Sequence, residues 1–180
     1  METNKANDYL MQKLIRKEAM KNVCSSYSLT DEYMEEHFME LDWTRVSGNN
    51  NIHWTAARIE SWQMSLDWKE FSRSANESVL IPEVIEIFKD RWDWSELSDN
   101  SDLKLSFELI DKYIDRWDWN KIINRGRWGD PDEIFSKDFF NRYAEHIPME
   151  NLENSSLWEA IIEEETDLIK KDIMLKKQQK

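Results

Sequence analysis

Apolar residues along this chain fall in blocks that follow one face of a helix, and the blocks recur at a nearly constant spacing. With the Asp-Trp pairs in register, four copies stand at Asp42-Trp43, Asp67-Trp68, Asp93-Trp94 and Asp118-Trp119, spaced 25, 26 and 25 residues apart. Met149 anchors a fifth copy, with Pro148 in the aspartate position, 30 residues after Trp119, and the Arg125 to Pro131 segment supplies the extra length. Fourteen residues before each anchor stand Leu29, Trp54, Leu80, Leu105 and Phe135. Further columns follow at Met34, Ile59, Ile85, Ile110 and Phe140, at His37, Trp62, Phe88, Tyr113 and Tyr143, and at Leu41, Leu66, Trp92, Trp117 and Ile147. These lie 5, 8 and 12 positions beyond the first column, a spacing that predicts a helix of about three turns.

Between the first two columns stand Thr30, Thr55, Ile81, Ser106 and Ser136. Four of these carry a hydroxyl that can accept from a free amide of a first helical turn, and Pro82 suits the first helical position where Ile81 breaks the column. Glu32, Glu83, Glu108 and Asp138 two residues on favour the positive end of a helix dipole. The aspartate before each anchor is placed to cap a second, shorter helix whose inward positions are the anchor and Val46, Phe71, Leu97, Ile122 or Leu152. A polar loop such as Ser98-Asp99-Asn100 is expected to follow it.

One such unit cannot bury its own aromatic face, so neighbours must stack. The expected fold is all-α: a short α-solenoid of about five degenerate two-helix units with helical caps, its handedness open. Residues 1–28 form an N-terminal capping helix and residues 29–158 the repeat domain, with units near 29–53, 54–79, 80–104, 105–134 and 135–155. Residues 156–180 form a C-terminal capping helix and a frayed tail; Ser156 and Glu159 fit a capping box at its start.

The run Trp92-Asp93-Trp94-Ser95-Glu96-Leu97-Ser98-Asp99-Asn100, followed by Leu105-Ser106 and Glu108 to Tyr113, resembles a tandem helical repeat, Trp-Asp-Trp-x-x-Leu-Ser-x-Asn, of uncharacterised bacterial and large-DNA-virus proteins. The similarity covers residues 29–152 and implies the helical repeat fold, with no activity attached. It departs in the fourth unit, where Ile123-Asn124-Arg125 stands in place of Ser-x-Asn, and in the fifth, which lacks its tryptophan.

Composition sharpens this picture. Only 3 Gly and 3 Pro occur, few punctuators for a fold of many tight turns, while the 10 Trp point to an aromatic core. A single cysteine, Cys24, excludes an internal disulfide and a cysteine-rich zinc site, and leaves open whether its thiol is buried or exposed. No run approaches the length of a membrane span, and the mixed charges of residues 1–8 do not form a secretory signal, so the expected location is cytoplasmic. The net charge of -13 is uneven: residues 29–158 hold 28 acidic and 14 basic groups, whereas residues 1–28 hold three acidic and five basic. Such a surface repels phosphate backbones and speeds encounter with basic partners; the bland alternative is that it only keeps the protein soluble.

No set of side chains reads as a catalytic site, a metal site or a cofactor site. His37, His53 and His146 belong to different units, and His37 occupies a core column. The Asp42, Asp67, Asp93 and Asp118 series repeats with the fold period and is explained by capping. Gly48, Gly126 and Gly129 are isolated, so no phosphate loop exists. Trp43, Trp68, Trp94 and Trp119 are the structural signature, while Trp54 and Trp128 stand outside the regular pattern. These observations point to a non-enzymatic protein-binding role toward a partner with a basic surface. The expected contacts are Glu35, Glu60, Glu86 and Asp111 on the outward side of the long helices, and Arg125, Arg127 and Trp128 in the inserted loop. A dedicated inhibitor or immunity protein that covers a basic nucleic-acid-binding site by acidic mimicry is the alternative; direct nucleic-acid binding is disfavoured by the charge.

Overall fold

Every hydroxyl of the predicted cap column meets the amide expected of it. In the computed structural model, which describes the backbone of residues 2–127 and 130–178 and the side chains of 7–126 and 131–174, Thr30, Thr55, Ser106 and Ser136 accept from the backbone N–H of Tyr33, Arg58, Leu109 and Phe139. They start the helices α2 (Asp31–Glu36), α4 (Ala56–Trp62), α8 (Phe107–Lys112) and α10 (Lys137–Tyr143). Helix α6 (Pro82–Ile87) begins at Ile81 with no side-chain cap and with Pro82 in its first turn. The aspartates start the second set, α3 (Trp43–Ser47), α5 (Trp68–Ser74), α7 (Trp94–Asp99) and α9 (Trp119–Ile122), by accepting from Arg45, Glu70, Glu96 and Lys121 N–H. Helix α11 (Met149–Leu152) has Pro148 in that position and no such bond. The long helices α1 (Glu2–Ser26) and α12 (Ser156–Gln178) flank the series, and the inserted loop contributes the two-residue strands β1 (Gly126–Arg127) and β2 (Asp130–Pro131), paired antiparallel. The fold is all-helical apart from that pair, and among the described residues no helix is long and apolar enough to cross a membrane.

The first helix of each pair is shorter than its apolar columns predict. It ends at Glu36, Trp62, Ile87, Lys112 or Tyr143. The chain then bends through a separate turn, in which the carbonyl of the aromatic-column residue takes the following amides: His37 O accepts from Glu40 and Leu41, Trp62 O from Ser65 and Leu66, Phe88 O from Arg91 and Trp92, and Tyr143 O from His146 and Ile147. The bend lets the residue at the end of the column and the anchor two positions later both turn inward, which a continuous helix at 100° per residue would prevent.

The core is built from these columns. Met34, Ile59, Ile85 and Ile110 are fully buried, and so are Val46, Phe71, Leu97 and Ile122 three residues after each anchor. The anchor tryptophans are half-buried and bridge one pair to the next: Trp43 lies 5.2 Å from Trp62, Trp68 5.6 Å from Phe88, and Trp119 5.3 Å from Tyr143, between ring centroids. Trp68, Trp94 and Trp119 donate their indole N–H to the carbonyl five residues back, at Gln63, Lys89 and Ile114. Trp54, irregular in sequence, is core: it is buried, edge-on to Phe71 and covered by the Arg58 guanidinium at 5.4 Å.

The expected polar loop after each second helix is instead a buried polar hinge. Ser47, Ser72 and Ser98 are buried, and their hydroxyls accept from the backbone N–H of Asp67, Asp93 and Asp118, the caps of the following pair, at 2.8–2.9 Å. Cys24, at the end of α1, takes the same place: its buried Sγ accepts from Asp42 N–H at 3.4 Å. Asn49, Asn76, Asn100 and Asp132 follow as turns in which the side-chain oxygen accepts from the amide two residues on.

The chain divides into two compact units, Met1–Glu96 and Leu97–Lys180. The terminal helices cap only in part. In α1, Cys24 is buried while residues 7–19 are exposed, and in α12 Leu157 and Ile161 are buried while residues 166–174 are exposed.

Candidate interaction surface

The outward column Glu35, Glu60, Glu86 and Asp111 arises because each lies one residue past a buried core position, on the solvent side of a short capped helix. The four are chemically unequal. Glu35 and Glu60 are exposed and make no ion pair among the described residues. Glu86 is half-buried and held by Lys89 at 2.7 Å. Asp111 is exposed, yet it is bound by Arg142 and accepts from the Tyr143 hydroxyl at 2.9 Å. The Arg142 hydrogen bond, with that of Tyr143, holds the Asp111 carboxyl below the usual range. Burial, together with the bond to Asp111, pushes the Tyr143 phenol up to about 12. Helix α10 thus satisfies Asp111, and within this column the carboxylates without an ion pair among the described residues are Glu35 on α2 and Glu60 on α4.

An open groove of about 540 Å³ lies beside that surface, lined among others by Thr30, Asp31, Glu32, His53, Thr55 and Arg58. Its floor is tightly bonded. The Arg58 guanidinium donates to Leu29 O at 2.5 Å, His53 O at 3.1 Å and Asp31 Oδ1 at 2.7 Å, and Trp62 Nε1 donates to the same Asp31 oxygen at 2.9 Å. Burial alone would raise the Asp31 pKa, but the Trp62 and Arg58 bonds outweigh it and leave it lowered. Glu32 and His53 remain exposed at the rim. Residues 29–96 hold fifteen acidic against six basic side chains, so the surroundings of this groove are strongly negative.

The inserted loop corrects one expectation. Arg125 is buried, not a surface contact: its guanidinium donates to the carbonyls of Ser98, Asn100 and Leu103 at 2.6–2.9 Å and pairs with Asp132 at 3.0 Å. The signal was present in the alignment of the units, where Arg125 falls on the column of Asn49 and Asn100. Asn49 performs two tasks at once, donating to Cys24 O and Tyr27 O and accepting from Asn51 N–H. In the fourth unit Arg125 takes the carbonyls and Asp132 makes the turn, with the β1–β2 hairpin between them. Arg127 pairs through its backbone with Asp130, but its side chain and the whole of Trp128 lie outside the described residues.

The three histidines stay apart in chemistry. His37 packs on Tyr33 at 4.3 Å, His53 sits on the groove rim, and His146 stacks on Trp119 at 5.2 Å. Among the described residues no three His, Cys, Asp or Glu side chains gather as a metal site. Burial pushes the Cys24 thiol pKa up, which suits an inert packed group. No protein-family model, curated protein or solved structure matches this chain.

Proposed function

We propose that this chain is a non-enzymatic protein-binding module, a short solenoid of about five stacked two-helix units, that takes a basic partner on the acidic outer side of α2 and α4. The solenoid is supported by the recurring hinge, in which Cys24, Ser47, Ser72 and Ser98 each hold the cap of the next pair. One observation carries the binding role: Glu35 and Glu60 occupy the same position in successive pairs and are exposed without an internal counter-ion, while Glu86 and Asp111 are neutralised from within. Two unpaired carboxylates beside an open groove give a steering field and a place for a basic side chain to enter.

Affinity capture from the source cell identifies the partner, and titration calorimetry of the purified pair then tests the contact. Glu35→Lys with Glu60→Lys should weaken binding by roughly tenfold or more and flatten its salt dependence, whereas Glu86→Gln should leave both nearly unchanged. An acidic partner, or full retention by the double reversal, overturns the reading. Trp128→Ala in the same titration decides whether the inserted hairpin contributes.

A further inference from the structure

The two terminal helices leave much of their length without packing. Residues 7–19 of α1 are all exposed, among them Leu10, Met11, Leu14 and Ile15 at 55–58%. In α12 residues 166–174 are all exposed, including Leu168, Ile169 and Ile173 at 51–58%. Isolated helical segments of this length are marginal in water, and a stripe of branched apolar residues does nothing for a helix that meets only solvent. In α1 the stripe begins beside the packed side and extends around the helix from it. Leu10 and Leu14 lie some 40–120° around the helix from Met20 and Cys24, and Met11 and Ile15 lie further still. Leu10 and Leu14 thus continue the packed side beyond the core, and Met11 and Ile15 widen it on the outer side.

Charge identifies what would cover these stripes. Residues 7–21 of α1 hold four basic and two acidic side chains, concentrated as Lys13, Arg16, Lys17 and Lys21 in the second half. Residues 159–174 of α12 hold six acidic and two basic, with Glu163, Glu164, Glu165 and Asp167 in the first half and Lys170 and Lys171 after them. An antiparallel alignment that sets Met11 level with Ile169 brings Lys13 level with Asp167, Arg16 with Glu164 and Lys17 with Glu163, while Asp8 falls level with Asp172 and beside Lys171. Inside one chain some of these charges are already engaged, Arg16 with Glu40, Lys21 with Glu18, Glu164 and Glu165 with Lys137, and Asp167 with Lys170, while Lys13, Lys17 and Glu163 have no such pair among the described residues; the engaged pairs are solvent-exposed and of small value.

We propose that this protein assembles head to tail, the exposed stripe of α1 on one copy packing antiparallel on the exposed stripe of α12 on a second copy. Each copy offers one α1 and one α12, so the contacts either close reciprocally between two copies or continue into a ring or an open chain. Residues 7–21 of α1 carry a net charge of +2 and residues 159–174 of α12 a net charge of -4, so two like helices repel and the unlike pair attracts. This inference does not depend on the proposed partner site, because Glu35 and Glu60 take no part in it.

Sedimentation velocity of the full chain over a range of concentrations tests it, with circular dichroism to establish that each variant is folded. The unaltered chain should grow in mass with concentration beyond a single copy. Lys13→Glu with Lys17→Glu should weaken this by roughly tenfold or more, and so should Glu163→Lys with Asp167→Lys. An equimolar mixture of the two variants should recover it, because each supplies the helix whose sign the other has lost. A chain of constant single-copy mass, association that both reversals leave intact, or a mixture that fails to recover would each overturn the proposal.

Discussion

Cys24, Ser47, Ser72 and Ser98 differ in chemistry and share one task, since each presents a small buried acceptor to the amide of the next capping aspartate. A hydroxyl is the better acceptor at this place, so Cys24→Ser should shift the free energy of urea unfolding by less than about 1 kcal/mol, or raise it. Ser72→Ala, which leaves the Asp93 amide without that acceptor, should cost about 1–3 kcal/mol in the same measurement. The serine column was visible in the alignment of the units, yet burial of a small polar residue leaves no hydropathy signal. A second residue-scale prediction concerns Tyr143, whose phenol pKa of about 12 lies above its ordinary value of 10. The fold therefore favours the neutral phenol, and this stability is complete below pH 10 and declines as the pH rises from 10 toward about 12. Asp111 has the opposite sign: its contribution is present above the ordinary carboxylate pKa and is lost as pH falls through the lowered value. Thermal midpoints across pH should show both limbs, the alkaline one reduced by Tyr143→Phe and the acid one by Asp111→Asn.

At the scale of the element, helix starts were legible and helix ends were not. A capping hydroxyl or carboxylate acts on an amide three residues away, so the sequence carries it, and each such cap stabilises by about 0.5–2 kcal/mol. The break after Glu36, Trp62 or Ile87 has no local breaker residue, no glycine and no proline; it follows from the need to bury Leu41, Leu66 or Trp92 and still turn the anchor two positions later inward. The last hinge shows how two elements adjust to each other. Ile123 stands on the serine column and has no acceptor, while Pro148 stands on the aspartate column and has no N–H to donate. Pro148→Asp alone should therefore gain a cap but bring in an amide with no hydroxyl to meet it. In a double-mutant cycle with Ile123→Ser, the Pro148→Asp change should be more favourable by about 1 kcal/mol or more than in the parent, as read from urea unfolding. Strict additivity would show that the missing donor and the missing acceptor are unrelated.

At the scale of the molecule, the aromatic period determined an all-helical chain and determined which residues would be core: Met34, Ile59, Ile85, Phe71 and Leu97 are buried as their columns required. Those conclusions were available because the forces behind them are local and periodic, with caps acting within four residues and apolar faces repeating at helical spacing. The candidate surface was legible in outline only. Glu35, Glu60, Glu86 and Asp111 are equivalent by position, and what separates them is a counter-ion: Lys89 for one, Arg142 with Tyr143 for another, the latter brought near by a different unit. Arg125 looked like a loop cation because the chain lengthens beside it, and only packing revealed the three carbonyls around its guanidinium. The division into Met1–Glu96 and Leu97–Lys180 and the exposure of the terminal stripes were likewise decided by tertiary structure. The periodic sequence specifies what each unit needs to bury, whereas the pairing of a charge, the burial of a hinge and the vacancy beside a helix depend on which neighbours arrive there, through distances that no linear spacing encodes.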